Sequence, residues 1–232
     1  AVEAHAAQLA GGAGEVAVDD VVQRFGRRWE PGVRGEIRDR NGQLLRAYPV
    51  DDGRWRLGAE PEFTADPAVI SAADRGILPG VGAAGRAMAV LREHRLVDVI
   101  RSLQQPVLGI CLGMQLLFDS SEEDDAQLIG LIPARLQRLP DRAGLRVPHM
   151  GWNAIETTGD DPLTRGLDER WFYFVHSYAA PLGEWTLASS FHGQAFTAIV
   201  RSANFCGAQF HPERSASAGA TLLRNFLEAD RP

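Results

Sequence analysis

The sequence contains no lysine: all 24 of its basic residues are arginines. A chain without side-chain amines forms no Schiff base, anchors no pyridoxal phosphate and builds no phosphate-loop lysine. Cysteine is scarce. Cys111 and Cys206, two in 232 residues, are too few for a disulfide framework, and they lack the close ligand pairs of a zinc site. No metal and no cofactor are therefore expected. Positive charge is in deficit, with a net charge of −6, which argues against a nucleic-acid partner. No apolar run approaches the roughly 18 residues that cross a bilayer, so no membrane association is expected. Near the start, Glu3 and His5 stand where a signal peptide requires positive charge and unbroken apolarity. The expected compartment is the cytoplasm.

What is present is ordinary globular composition, with 45% hydrophobic and 23% charged residues. That suffices for one domain of about 150–200 residues and a smaller appendage. The texture changes near residue 60, so residues 1–62 read as an atypical N-terminal segment of unknown role and 63–232 as the main domain. Within the first part, EVAVDDVVQRF suits a short strand or an amphipathic helix. The alternating stretch over 35–57, broken at Asn41-Gly42 and Asp52-Gly53, suits a small β-meander.

From Asp66 the pattern alternates between strand and helix. A short apolar run at 77–79 ends in the turn Gly80-Val81-Gly82, and 84–104 has apolar residues at helical spacing. A buried strand is predicted at 106–110 and a helix opening over 113–118. Strand-like runs follow at 128–132, 146–148, 171–175, 185–189, 195–200 and 205–210, before an amphipathic helix over 215–229. The expected fold is α/β: an open, mostly parallel sheet flanked by helices, with an antiparallel extension.

The sharpest local feature is Gly109-Ile110-Cys111-Leu112-Gly113, at a strand-to-helix junction. This is the pattern of a nucleophile elbow with Cys in the Ser position. The turn is so tight that a Cβ on either side would clash, and the nucleophile is held in strained backbone. A cysteine at a helix N-terminus is favoured as thiolate, and the Leu112 N–H is placed to meet an oxyanion.

Downstream, Phe210-His211-Pro212-Glu213-Arg214-Ser215 supplies a base. Pro212 pushes His211 into extended geometry, where residues i and i+2 face the same way. Glu213 can then orient the imidazole, and the three residues make a Cys-His-Glu triad. Of the other histidines, His5 and His94 read as surface residues and His192 as a turn residue. His149 and His176, in aromatic settings, read as core packing.

Together these motifs resemble the class I (triad) glutamine amidotransferases, and among them the glutaminase subunits of imidazole glycerol phosphate synthases. ILPGVG, PVLGICLGMQLLF and QFHPE carry the resemblance to the class; PHMGWN, YFVHSY and HPERS carry it to the subgroup. The resemblance implies a flavodoxin-like amidotransferase fold over about 64–232. It makes Cys111 the nucleophile on the glutamine side-chain amide, giving a γ-glutamyl thioester and ammonia, with His211 as base and acid and Glu213 orienting it. It places the oxyanion hole at the N–H groups of Leu112 and of Val81 or Gly82. Gly80, Gln115, Glu123, Ser177 and Tyr178 become substrate-binding positions. His149, Met150, Gly151, Trp152 and Asn153 become a loop facing the partner, a (β/α)8 barrel cyclase, in a heterodimer. Ammonia would pass to that barrel to make imidazole glycerol phosphate and an aminoimidazole carboxamide ribonucleotide, in histidine biosynthesis.

Residues 1–60 do not match the family, whose members open with a core strand and an Asp-x-Gly-x-Gly-Asn turn. The expectation is that a segment such as 15–18 fills the vacant place in the sheet. Two alternatives stay open on the sequence: a glutaminase of another class I amidotransferase, and a catalytically impaired docking subunit.

Overall fold

A computed structural model describes residues 22–25, 62–142 and 144–229. The expected meander at 35–57 and the expected strand at 15–18 lie outside the described residues. A strand from the N-terminal segment is nevertheless present in the sheet: β1 (Val22–Phe25) pairs antiparallel with β2 (Glu62–Thr64) on one side and with β3 (Arg75–Leu78) on the other.

The main domain begins at α1 (Pro67–Ala72), where the Asp66 carboxylate accepts from the N–H of Ala68 at 2.8 Å and Pro67 occupies the first turn. After β3, the helical spacing over 84–104 resolves into two helices, α2 (Ala84–Glu93) and α3 (Leu96–Ser102). Arg95 interrupts them with φ +57°, a backbone state that no α-helix continues through. Next come β4 (Val107–Ile110) and a single helical turn, α4 (Leu112–Gln115). The helix expected to extend to Phe118 stops there. Leu116 and Leu117 form a buried turn, and Phe118 pairs with Ile132 in a strand instead of continuing the helix. Phe118 opens β5 (Phe118–Ser121), which runs parallel to β6 (Ile132–Arg138).

The C-terminal half contributes β7 (His149–Ala154), β8 (Glu156–Thr157), β9 (Trp171–His176), β10 (Tyr178–Ala179), β11 (Thr186–Phe191), β12 (Ala195–Ser202), β13 (Phe205–Ala208) and α5 (Ala216–Glu228). Two expected strands are displaced: the run at 128–132 becomes β6, starting at Ile132, and the run at 146–148 precedes β7 instead of forming it. The main sheet has the order β2-β1-β3-β4-β13-β12-β11-β8. It is parallel at its centre, across β3, β4 and β13, and antiparallel on both flanks. β10-β6-β5 and β7-β9 form two smaller sheets.

Both faces of the main sheet are covered, and the strand period of two sorts the core accordingly. Leu78, Val107, Val200 and Phe205 face one cluster with Met88, Leu91, Ile100 and Phe118. Their immediate neighbours Ile77, Leu108, Ile199 and Cys206 face the other, with Phe172, Phe210, Leu222 and Phe226. Central strands buried on both sides read as continuous apolar runs, as the sequence at 106–110 does. Among the described residues no helix is long and apolar enough to cross a membrane.

α5 seats against the segment after β13 because its first turns are built from small residues. A Cβ at Gly219 would lie 1.9 Å from the carbonyl oxygen of Pro212. Helix propensity alone would make Gly219→Ala stabilising by about 1 kcal/mol. The clash is with backbone, which has no rotamer to change, so the sign reverses: Gly219→Ala should lower the urea midpoint, and an unchanged or raised midpoint would contradict the packing described.

Candidate active site

Three parallel strands end at the same edge of the sheet. Leu78 pairs with Gly109, and Ile110 with Ala208. The Gly80-Val81-Gly82 turn, Cys111 and His211 therefore leave neighbouring strands side by side, at the carboxyl ends where open α/β sheets place their chemistry.

Backbone contact sets the elbow. A Cβ at Gly109 would meet the Gly113 carbonyl oxygen at 2.5 Å; one at Gly113 would meet the Leu78 carbonyl oxygen at 1.8 Å; one at Gly80 would meet the Gly113 nitrogen at 2.6 Å. Cys111 sits between these contacts with φ +53° and ψ −110°, a sparsely populated state for a side-chain-bearing residue that only an over-determined surrounding maintains. Its N–H donates to the Ala208 carbonyl at 2.8 Å. Its buried sulfur lies 3.8 Å from the carbonyl oxygen of Val175 and 3.9 Å from Nε2 of Gln209. Leu112, as the first residue of α4, has an N–H with no acceptor inside the helix.

His211 is extended, as Pro212 requires, but the next three residues form a 3-10 turn. The expected extended pairing with Glu213 is thus replaced by a turn that folds the carboxylate back. Nδ1 of His211 lies 2.7 Å from Oε1 of Glu213. The His211 backbone is fixed from both sides: its N–H donates to the Tyr173 carbonyl at 2.9 Å, and its carbonyl accepts from Ser215 Oγ at 2.6 Å. Its Nε2 is buried and has no hydrogen-bond partner among the described residues. Burial works against protonating this ring, but the Cys111 sulfur and the Glu213 carboxylate outweigh it and raise the pKa from 6.5 to about 10.

The sequence profile of the glutamine amidotransferase class-I family matches residues 62–229. The chain belongs to that family. It is 52% identical over 178 residues, 76% of this chain and 89% of the relative, to the imidazole glycerol phosphate synthase subunit HisH of Xanthomonas axonopodis pv. citri. It is 53% identical over 173 residues, 75% and 87%, to the subunit of that name from Idiomarina loihiensis. In fold it is similar to a crystal structure of a glutamine amidotransferase, with TM-score 0.54 and 22% identity over 71% of this chain and 83% of that one. It is likewise similar to a putative GMP synthase protein from Thermoplasma acidophilum, with TM-score 0.52 and 20% identity over 70% and 75%.

The other expected site residues of this amidotransferase domain lie around Cys111, His211 and Glu213. Gln115, buried in α4, donates both hydrogens of its amide, to the Tyr178 carbonyl at 2.8 Å and to Oε1 of Gln209 at 3.0 Å. Ser177, between β9 and β10, accepts through its carbonyl from the Leu139 N–H at 2.8 Å. Glu123 stands in a short 3-10 turn, and its carboxylate accepts from the Ala84 N–H at the start of α2, at 2.8 Å. Val81 is 76% exposed, and Gly82 has φ +92°.

The stretch expected to form a partner-facing loop is not a loop. His149–Ala154 is strand β7, paired residue for residue with β9, so its side chains alternate between the two faces. Met150 and Trp152 are 60% and 50% exposed, whereas His149 is only 5% exposed and points into the core. Sequence reasoning misses Gln209, which is fully buried between Gln115 and Cys111. A glutamine inside an otherwise apolar β-strand run is the available signal.

The raised His211 pKa has a consequence for stability. A group whose pKa is higher in the folded than in the unfolded chain stabilises fully below its unfolded pKa and loses that contribution as pH rises toward the folded one. The unfolding free energy of wild type minus that of His211→Gln should therefore be largest below about pH 6.5 and shrink up to about pH 10. A difference constant over that range, by urea denaturation, would contradict the assignment.

Proposed function

We propose that this chain is the glutaminase subunit of an imidazole glycerol phosphate synthase. The observation that carries the reading is the convergence of Cys111, His211 and Glu213 at adjoining strand ends, in a chain 52% identical to HisH subunits across 89% of their length. The Cys111 sulfur attacks the side-chain amide carbon of glutamine. The oxyanion is met by the Leu112 N–H and by an N–H of the Val81–Gly82 turn. His211, already protonated at neutral pH, gives its Nε2 proton to the leaving ammonia as the γ-glutamyl thioester forms. Once acylated, the sulfur no longer holds charge against the imidazole. Burial then favours the neutral ring, which removes a proton from water as it attacks the thioester and releases glutamate. The same residue thus serves as acid and then base without moving.

Gln115, Tyr178, Ser177, Gly80 and Glu123 form the wall that holds the amino-acid end of glutamine. Both Gln115 amide hydrogens are engaged within the protein, so its oxygen is the atom left to meet the substrate ammonium. Glu123, bonded to the Ala84 N–H just after the Gly82 turn, links that wall to the oxyanion turn.

Ammonia is mostly protonated in water at neutral pH and is then no nucleophile, so it must reach its consumer without crossing solvent. The partner in this reading is the (β/α)8 barrel cyclase, bound as a heterodimer in the cytoplasm. The outer face of β7–β9 fits such a contact, since Met150, Trp152 and Trp171, the last 58% exposed, make an apolar patch beside Val175, whose carbonyl touches the Cys111 sulfur.

Two measurements check this. Cys111→Ala should abolish glutamine hydrolysis and leave cyclase binding intact, because removing one member of a unit that acts together costs about as much as removing all of it. Cys206, buried in β13, should be dispensable for hydrolysis. Hydrolysis surviving in Cys111→Ala would end the reading. Separately, the chain alone should be a poor glutaminase that a ligand-loaded cyclase stimulates, since one oxyanion donor is worth about 10²–10³ in rate and Gly82 lets the peptide that supplies it rotate away. Full activity without the partner would remove the gating role of that turn.

A further inference from the structure

β7 and β9 bring His149 and His176 opposite one another. Both are buried. Nδ1 of His149 lies 3.1 Å from Nε2 of His176, and Nδ1 of His176 lies 2.9 Å from the Tyr178 carbonyl oxygen. A carbonyl only accepts, so His176 carries its proton on Nδ1. In the neutral ring Nε2 must then accept, and His149 must donate from Nδ1. The unprotonated Nε2 of His149 faces Nδ2 of Asn153 at 3.5 Å, and that amide also donates to the Phe191 carbonyl at 2.8 Å. Oδ1 of Asn153 accepts from the Ala154 N–H, which fixes which end of the amide is which. Every tautomer in the chain is determined by its neighbour. Burial lowers both pKa values, to about 4 for His149 and about 3 for His176, so both rings are neutral at physiological pH.

At its inner end the chain joins the site. The Tyr178 carbonyl that receives His176 also receives Gln115, and Gln115 in turn donates to Gln209, whose Nε2 lies 3.9 Å from the Cys111 sulfur. At its outer end it lies on β7, whose next residues on the opposite face are the exposed Met150 and Trp152. Aromatic packing alone does not account for the pair. His149 stacks on Phe174 with centroids 4.9 Å apart and on His192 at 4.1 Å, and His176 meets Phe196 edge-on at 5.1 Å. Phenylalanines would satisfy those contacts without burying four ring nitrogens, each of which costs free energy unless hydrogen-bonded.

We propose that His149 and His176 are positioning residues that fix the Tyr178 carbonyl, and through it Gln115, and so couple the exposed β7–β9 face to the substrate wall. The inference rests on the reading of Gln115 and Tyr178 as that wall. Its content is specific: what matters at residue 176 is a donor at the Nδ1 position.

The test uses the complex of this chain with its ligand-loaded cyclase, measuring kcat and KM for glutamine hydrolysis. His176→Asn places an amide donor near Nδ1; His176→Gln places one near Nε2 and leaves the Tyr178 carbonyl without it. Both are polar and similar in size, so general damage to the core would move them together. Loss of the donor should raise KM about tenfold in His176→Gln, the equivalent of one hydrogen bond, with kcat within about threefold of wild type. His176→Asn should stay within about threefold in both constants. His149→Phe, which leaves Nε2 of His176 without its donor, should raise KM in the same direction and reduce the stimulation by the cyclase. Equal KM values for the Asn and Gln variants, or a loss confined to kcat, would overturn the proposal. Two controls separate it from the reading beneath it. Gln115→Ala must raise KM and Cys111→Ala must abolish turnover. If either fails, the substrate wall or the amidotransferase reading is what has fallen, and the proposal falls with it.

Discussion

The close approach of two backbones, the first turn of α4 against the end of β3, is the constraint on which the rest of this site depends. A single added carbon at Gly113 would stand 1.8 Å from the Leu78 carbonyl oxygen, and one at Gly109 would stand 2.5 Å from the Gly113 carbonyl oxygen. No side-chain rearrangement relieves a clash with backbone. The chain must therefore turn from strand to helix within one residue, and that residue takes the strained conformation seen at Cys111. Because the contact is with β3, the turn that follows β3 is brought onto the elbow as well, with Gly80 against the Gly113 nitrogen. Cys111 and the Gly80–Gly82 turn are placed by the same glycine contacts.

The second requirement is electrostatic. A buried histidine should be neutral, since burial penalises the charged ring. The Glu213 carboxylate at 2.7 Å and the Cys111 sulfur both act in the opposite direction and together outweigh burial. The protonated state of His211 therefore belongs to the assembled site and not to the residue. Its backbone anchors to Tyr173 and Ser215 determine whether the site assembles. The second of these depends on α5 coming close, which Gly219 permits. A small residue remote from His211 thus helps to set the position of its ring.

Where sequence reasoning was accurate, a local steric rule dominated. The glycine pair around Cys111, the proline after His211 and the apolar run at 106–110 each admit few conformations, and the structure has those. Where it went astray, long-range pairing decided. Leu116, Leu117 and Phe118 continue a helical apolar pattern, yet Phe118 is drawn into a strand by its parallel partner Ile132, which is distant in sequence. His149–Asn153 read as an interface loop, and only pairing with β9 makes it a strand with alternating faces. His149 and His176 read as core residues, and they are buried. What the sequence could not display is that they bond to each other and to the Tyr178 carbonyl, since that depends on register across β7–β9. Gln209 stands out only as a glutamine in an otherwise apolar run, which does not reveal that it lies between Gln115 and Cys111.

The edge of the parallel trio away from β13 is completed by an antiparallel strand from the N-terminal segment. An open edge at β3 would leave a row of backbone donors and acceptors unpaired, which natural sheets avoid. β1 occupies that edge, but it runs antiparallel, with Gln23 opposite Ile77 and Phe25 opposite Arg75. The end of β1 nearest the elbow is therefore its start, near Val22, and its carboxyl end lies on the far side of the sheet. A parallel strand in that place would deliver its following loop to the edge where β3, β4 and β13 end; this antiparallel one ends at the opposite edge. Cys111, His211, Glu213 and the Gly80–Gly82 turn all follow the three parallel strands. The Cys111 elbow, the His211–Glu213 pair and the Gly80–Gly82 turn are consequently built by residues from Arg75 onward.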